Sequence, residues 1–210
     1  MSSVSLHDAI HHRSRMKSED RRELIVDAAL GVFGDFGYIG ATTDQVARAA
    51  GVSQPYVVRM FGSKERLFLE TLDRAVARLR TAFRVAIADT ENPMGIQERV
   101  GRAYVDLVSD RGLLLTMMHA FVMGSDPAIG RASRECFLGV YTLLRDEAGF
   151  TPAEVHGFLA QGMLINTLVG VRMSDDFETN PIAAELLQTA LPQKLDVVLA
   201  LGAEQRAEAQ

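Results

Sequence analysis

Residues 41–67 read ATTDQVARAAGVSQPYVVRMFGSKERL, and this stretch decides what kind of chain it is. Thr42 stands three residues before Gln45, the spacing of a capping box in which side chain and backbone satisfy each other's orphan groups. Val46, Ala47 and Ala50 follow as an apolar stripe of small residues at helical spacing. Gly51 ends that helix, because glycine enters the left-handed region without steric cost. Val52 plugs the turn, Ser53 is a suitable N-cap for a second helix, and Pro55 falls in its first turn, where no N–H is needed. A helix, a glycine turn and a short second helix make a helix-turn-helix, the motif whose second helix enters the DNA major groove. Taken alone, the pattern also suits an ordinary helical hairpin.

The surrounding residues decide between these. Arg22, Ile25, Ala28, Ala29, Phe33, Gly37, Tyr38, Thr42, Thr43, Val46, Ala47, Ala50, Gly51, Val52, Ser53, Phe61, Lys64, Glu65 and Leu67 stand in the order and spacing of the tetracycline-repressor (TetR) family, which this chain resembles over residues 19–67. The resemblance implies an all-α protein. A three-helix head would read DNA, a linking helix would join it to a helical body, and the body would bind a ligand and dimerise. The expected divisions are a basic arm over residues 1–17, a head over 18–78 and a ligand-binding and dimerisation domain over 79–210.

Before the motif, Leu24, Ile25, Ala28, Ala29, Val32, Phe33 and Phe36 mark one buried helix face, which Gly37 ends. Gly31 and Gly34 each cost about 1 kcal/mol against alanine inside a helix, so tertiary packing must offset them. The arm carries His7, His11, His12, Arg13, Arg15 and Lys17 without apolar periodicity, and reads either as a solvated tail or as a segment that touches DNA. No second histidine cluster completes a metal site, and no metal or cofactor is expected.

The second helix of the motif, residues 54–60, departs from the commonest pattern of the family. Pro55, Val58 and Met60 stand where glycine, tyrosine and histidine are usual, so the tyrosine's phosphate contact has to come from elsewhere. Tyr56 and Arg59, about a turn apart, are the candidates. Gln54 can pair with an adenine edge, Pro55 and Tyr56 can pack on a thymine methyl, and Arg59 can reach a guanine or a phosphate. Thr42, Thr43, Ser53 and Lys64 complete the expected DNA-binding set, the threonines and the lysine as phosphate contacts. Val57 and Phe61 are assigned to the core of the head.

A long helix follows Ser63, with Leu67, Leu72, Ala75, Val76, Leu79 and Phe83 on one face. Arg74, Arg78, Arg80 and Arg84 lie opposite, where Glu70 and Asp73 can pair with them. Residues 89–95 break it. Five helices are expected beyond, over residues 96–110, 112–123, 125–148, 151–173 and 181–203. Six of the nine methionines lie from Met94 to Met173, and methionine adapts to flexible apolar ligands as readily as it fills cores. The candidate ligand set is Arg102, Tyr104, Met117, Met118, His119, Phe121, Phe137, Tyr141 and Asn166. Phe158, Gly162, Ile165, Val169, Leu186, Leu195 and Val198 are the candidate dimer interface, because the last helices hold more apolar surface than a monomer needs. The implied assembly is a homodimer on a near-palindromic operator.

Composition fits this reading. The chain is 48% hydrophobic and 23% charged, with one cysteine, Cys136, which excludes an internal disulfide and suits a reducing, cytoplasmic setting. The net charge of −5 divides unevenly, with 9 Lys/Arg against 8 Asp/Glu in residues 1–66 and 13 against 19 beyond. The acidity therefore belongs to the body. An enzyme would have to use Cys136 with His119 or His156, and nothing local orients such a pair. The chain is accordingly read as a ligand-responsive, DNA-binding repressor and not an enzyme. The alternative is a helical small-molecule-binding protein without operator affinity.

Overall fold

The computed structural model describes residues 18–107, 110–192 and 195–208, and the arm over residues 1–17 lies outside them. Among the described residues the regular structure is entirely helical, as expected. Ten α-helices run α1 Ser18–Gly40, α2 Thr43–Ala49, α3 Gln54–Phe61, α4 Lys64–Ala88, α5 Ile96–Asp106, α6 Arg111–Val122, α7 Pro127–Thr142, α8 Pro152–Gly170, α9 Pro181–Ala190 and α10 Leu195–Glu208.

The head forms around fully buried Phe33 of α1 and Phe68 of α4, packed edge to face at 4.9 Å, with Val46, Val57 and Phe61 closing the core. Burying one such aromatic side chain contributes about 1.5–3 kcal/mol. Gly37 breaks α1 with φ 66°, ψ 174°, and one further turn carries the chain to α2. Tyr38 stacks on Phe68 from that turn at 5.0 Å.

The body differs from expectation in three places. The helix expected over residues 96–110 stops at Asp106, and Asp110 instead caps α6, its side chain accepting from the Leu113 amide at 3.1 Å. α7 passes at Thr142 into a π turn, Leu143–Glu147, which closes with Ala148 N–H on the Leu143 carbonyl at 3.2 Å. Gly149, at φ 74°, then ends it. The expected last helix is two, α9 and α10. Pro192 lacks an N–H and pushes the residue before it out of the helical region, and Leu191 sits at φ −131°, ψ 53°. The body therefore has six helices, not five.

The arginines of α4 also find other partners than those expected on their own helix. Arg74 reaches Glu23 of α1 at 3.1 Å. Arg78 bridges Asp27 of α1 at 2.8 Å and Asp110 at 3.0 Å. Arg84 pairs with Glu147 through two 2.8 Å bonds. Arg80 lies across Gly139 of α7, where a Cβ would run into its guanidinium. Each half-exposed pair is worth little alone, but together they tie α4 to α1, α6 and α7.

Head and body meet backbone to backbone where α1 crosses α6. A Cβ on Gly34 would stand 2.7 Å from the Gly112 Cα, and one on Gly112 would stand 2.9 Å from the Leu30 carbonyl oxygen. Thr116 Oγ1 donates to that same carbonyl at 3.2 Å.

Candidate nucleic-acid interface and ligand cavity

The helix-turn-helix forms by its own local chemistry. Thr42 N–H donates to Gln45 Oε1 at 2.8 Å and Gln45 N–H to Thr42 Oγ1 at 3.2 Å, completing the capping box. Gly51 takes φ 64°, and the Val52 amide returns to the Ala47 carbonyl at 2.9 Å. Ser53 is the N-cap of α3 by position, with extended backbone, but its hydroxyl makes no capping bond. Ser63 does cap α4, accepting from Arg66 N–H at 3.1 Å.

Val57 and Phe61 turn inward from α3 and are buried, as assigned. Pro55 and Arg59 are exposed, and so is Val58, the position where the family usually has tyrosine. Gln54 Nε2 donates to Thr43 Oγ1 at 3.2 Å, so two candidate readers are tied to each other across the turn. Two guanidiniums approach the Tyr56 ring, Arg59 at 5.1 Å and Arg21 of α1 at 5.5 Å from its centre. Arg21 went unnoticed in the sequence, since only the fold brings α1's first turn to α3. Lys64 Nζ donates to the carbonyls of Ala41 at 3.1 Å and Ile39 at 3.4 Å, over the Tyr38 ring. It pins the turn before the exposed Thr42. Neighbouring Arg22 pairs both its Nε and Nη2 with the Glu70 carboxylate and covers Phe61.

In the body, two cavities meet at Tyr104. The outer, of about 270 Å³, opens between α5, α8 and the α9 end and is lined by Glu98, Arg102, Gln161 and Leu191 among others. The inner, of about 40 Å³, is lined by Met117, Phe121, Cys136, Phe137, Met163 and Asn166 among others. Tyr104, Phe158 and Gly162 line both. The Tyr104 hydroxyl donates to Asn166 Oδ1 at 2.6 Å, with the Gly162 carbonyl 3.2 Å away. Burial raises the pKa of that hydroxyl, and the Asn166 bond opposes the shift. A side chain at position 162 would stand 3.3 Å from the Tyr104 ring, so glycine lets the ring lie flat on α8.

Of the nine candidate ligand residues, Arg102, Tyr104, Met117, Phe121, Phe137 and Asn166 line these cavities. Met118, His119 and Tyr141 do not. Tyr141 lies under the Arg145 guanidinium at 5.7 Å. His119 faces α1, its ring against Gly37 and its Nε2 3.2 Å from the Gly34 carbonyl. That oxygen only accepts, so Nε2 carries the proton. The nucleophile-and-base alternative loses its parts in the same way. His119 is spent on Gly34, His156 stands on the exposed side of α8, and burial pushes the Cys136 thiol up to about 11, protonated at neutral pH.

The dimer candidates need correction. Gly162, Ile165, Val169 and Val198 are buried within the single chain, and Phe158 packs among Phe83, Tyr104 and Phe150. α8 carries apolar residues on every face, among a few polar ones, so periodicity did not reveal its inward face. Of the seven, only Leu186 is classed as exposed. The face that is left open carries Gly157, Ala160, Leu164 and Val171 of α8 and its end, with Ile182 and Leu186 of α9.

Residues 25–71 match the model of bacterial regulatory proteins, tetR family. The chain is 45% identical over 60 residues to the HTH-type transcriptional regulator BetI of Rhizobium meliloti, covering 29% of this chain and 30% of that protein. It is 30% identical over 143 residues to the HTH-type transcriptional activator FasR of Mycolicibacterium smegmatis, covering 65% and 64%. The chain thus spans about a third of one relative and under two thirds of the other. A TetR-like transcriptional regulator from Rhodococcus sp. RHA1 shares the fold with a TM-score of 0.57 at 18% identity, covering 92% of this chain and 99% of that one.

Proposed function

We propose that this chain, whose residues 25–71 match the model of bacterial regulatory proteins, tetR family, is a dimeric, operator-binding transcriptional repressor released by a small, largely apolar ligand. The observation that carries the reading is the double duty of α6. One side lines the inner cavity with Met117 and Phe121. The other meets α1 through Gly112, Thr116 and His119. A ligand that wedges the inner cavity open has to move α6, and α6 cannot move without α1. The ligand acts only to the extent that it binds the released arrangement more tightly, about 1–3 kcal/mol in typical coupling.

Thr42, Thr43, Ser53, Gln54, Pro55, Tyr56, Arg59 and Lys64 form the DNA-facing set in this reading. Arg102, Tyr104, Met117, Phe121, Phe137 and Asn166 receive the ligand. Two copies join by the open α8–α9 face and set their reading helices on half-sites roughly 34–36 Å apart. Among the described residues no helix is long and apolar enough to cross a membrane, which fits a protein that works on DNA in the cytoplasm.

A gel shift against the DNA upstream of the chain's own gene tests the proposal. A discrete, competable complex is expected, and no specific complex overturns it. The 30% identity to a protein named an activator favours a second reading, in which the bound protein raises transcription. A reporter on the same promoter separates the two by its sign when the regulator is deleted.

A further inference from the structure

We propose that Arg21, Tyr56 and the turn over residues 50–53 form a seat for one phosphate of the DNA backbone beside the reading helix, with Arg21 lying ahead of residues 25–71, the stretch that matches the family model. The proposal rests on the reading that the head binds DNA.

The first observation is what Arg21 lacks. Its neighbour Arg22 is consumed by Glu70, and along α4 Arg74, Arg78 and Arg84 each meet a carboxylate. Among the described residues no carboxylate pairs with Arg21 or with Arg59. The Arg21 Nε is buried without any acceptor. Its guanidinium is therefore positioned by the Tyr56 ring, 5.5 Å away, and not by a protein anion. An arginine held over a ring, with no carboxylate against it, keeps its terminal amino groups available to a planar, bidentate acceptor.

The second observation is the space in front of it. An open groove is lined by Arg21, Leu24, Gly51, Val52, Ser53 and Tyr56. Ser53 adds a hydroxyl that its own helix does not use. Gly51 at φ 64° keeps the groove floor free of a side chain. One cation, one free hydroxyl and an aromatic wall suit a single phosphate diester. Arg59, 5.1 Å from the centre of the same ring, brings a second positive charge to it. Tyr56 thus couples the two arginines through its ring. This arrangement gives the head a substitute for the tyrosine that position 58 does not provide.

The test uses the full-length protein and a short labelled duplex of mixed sequence, with anisotropy titrations from about 50 to 200 mM salt. Arg21→Ala is expected to weaken binding several-fold on any sequence and to flatten the log–log salt slope by about 0.9. Arg21→Lys keeps the slope and loses part of the affinity, because an ammonium is not a planar, bidentate donor. On a Tyr56→Leu background, Arg21→Ala costs less than in the parent. An unchanged slope in both Arg21→Ala and Arg21→Gln, with native circular dichroism in either one, overturns the seat. Strict additivity of the Arg21 and Tyr56 changes overturns their coupling. A parent protein that binds no duplex at any of these salts overturns the DNA reading itself, a different result from an unchanged slope.

Discussion

Gly34 of α1 and Gly112 of α6 meet backbone to backbone, so closely that a Cβ on Gly34 would stand 2.7 Å from the Gly112 Cα. Two glycines that each weaken their own helix thereby let the head and the body touch without side chains between them.

Gly34→Ala is expected to destabilise the protein in spite of alanine's better helix propensity. Overpacking against backbone typically costs about 1–3 kcal/mol, which outweighs the roughly 1 kcal/mol that alanine gains. Gly31→Ala is the control, because a Cβ there meets nothing within 4 Å. Thermal melts of the two variants should move in opposite directions, and equal shifts would dismiss the crossing as a constraint.

Lys64→Ala should lower stability as well as DNA affinity, since Lys64 closes the turn over the Ile39 and Ala41 carbonyls. A partly exposed charged hydrogen bond of this kind contributes on the order of 1 kcal/mol. A lower melting temperature with an unaltered salt slope of DNA binding would restrict Lys64 to the turn. A slope flattened by about one ion would add a phosphate contact.

Arg59→Ala is expected to weaken operator binding by about 1–3 kcal/mol if Arg59 reads a base, and the loss should depend on the base at one operator position. A loss equal on all sequences would make it a phosphate contact, and no loss would remove it from the interface.

Tyr104→Phe removes the hydroxyl that donates to Asn166 Oδ1 in the wall between the two cavities. Leaving a buried acceptor unpaired costs about 1–3 kcal/mol, so the denaturation midpoint should fall. A variant as stable as the parent would mean that water replaces the hydroxyl.

Cys136 makes stability depend on alkaline pH. Burial lifts its thiol from the ordinary 9.0 to about 11 in the folded chain. The unfolded chain therefore loses this proton first as pH rises. The stabilisation is complete below about pH 9 and disappears between about 9 and 11, on the order of 2–3 kcal/mol in all. Cys136→Ala should flatten that part of the stability profile, and an identical profile in the two proteins would rule out the assignment. Thiol labelling of the native protein near neutral pH should also be slow.

The local chemistry of the head was legible from the residues alone. The Thr42–Gln45 box, the Gly51 turn, the buried side of α3 and the cap at Ser63 all join residues within a few positions of one another. The break at Pro192 was legible too and was passed over, because the apolar pattern continues across it.

Other features depended on which distant helices meet. Arg21 reaches Tyr56, Arg78 reaches Asp27 and Asp110, and His119 faces Gly34, all across spans of more than thirty residues. The spacing of α8 assigned Phe158, Gly162, Ile165 and Val169 to a partner, whereas the fold turns them to their own cavity and core. Caps, turns and periodic faces are short-range properties, so the residues alone specify a helical chain with a helix-turn-helix near its start. The tertiary structure decided which faces are inside, because a helix with apolar residues on every face has no preferred face until its neighbours cover one.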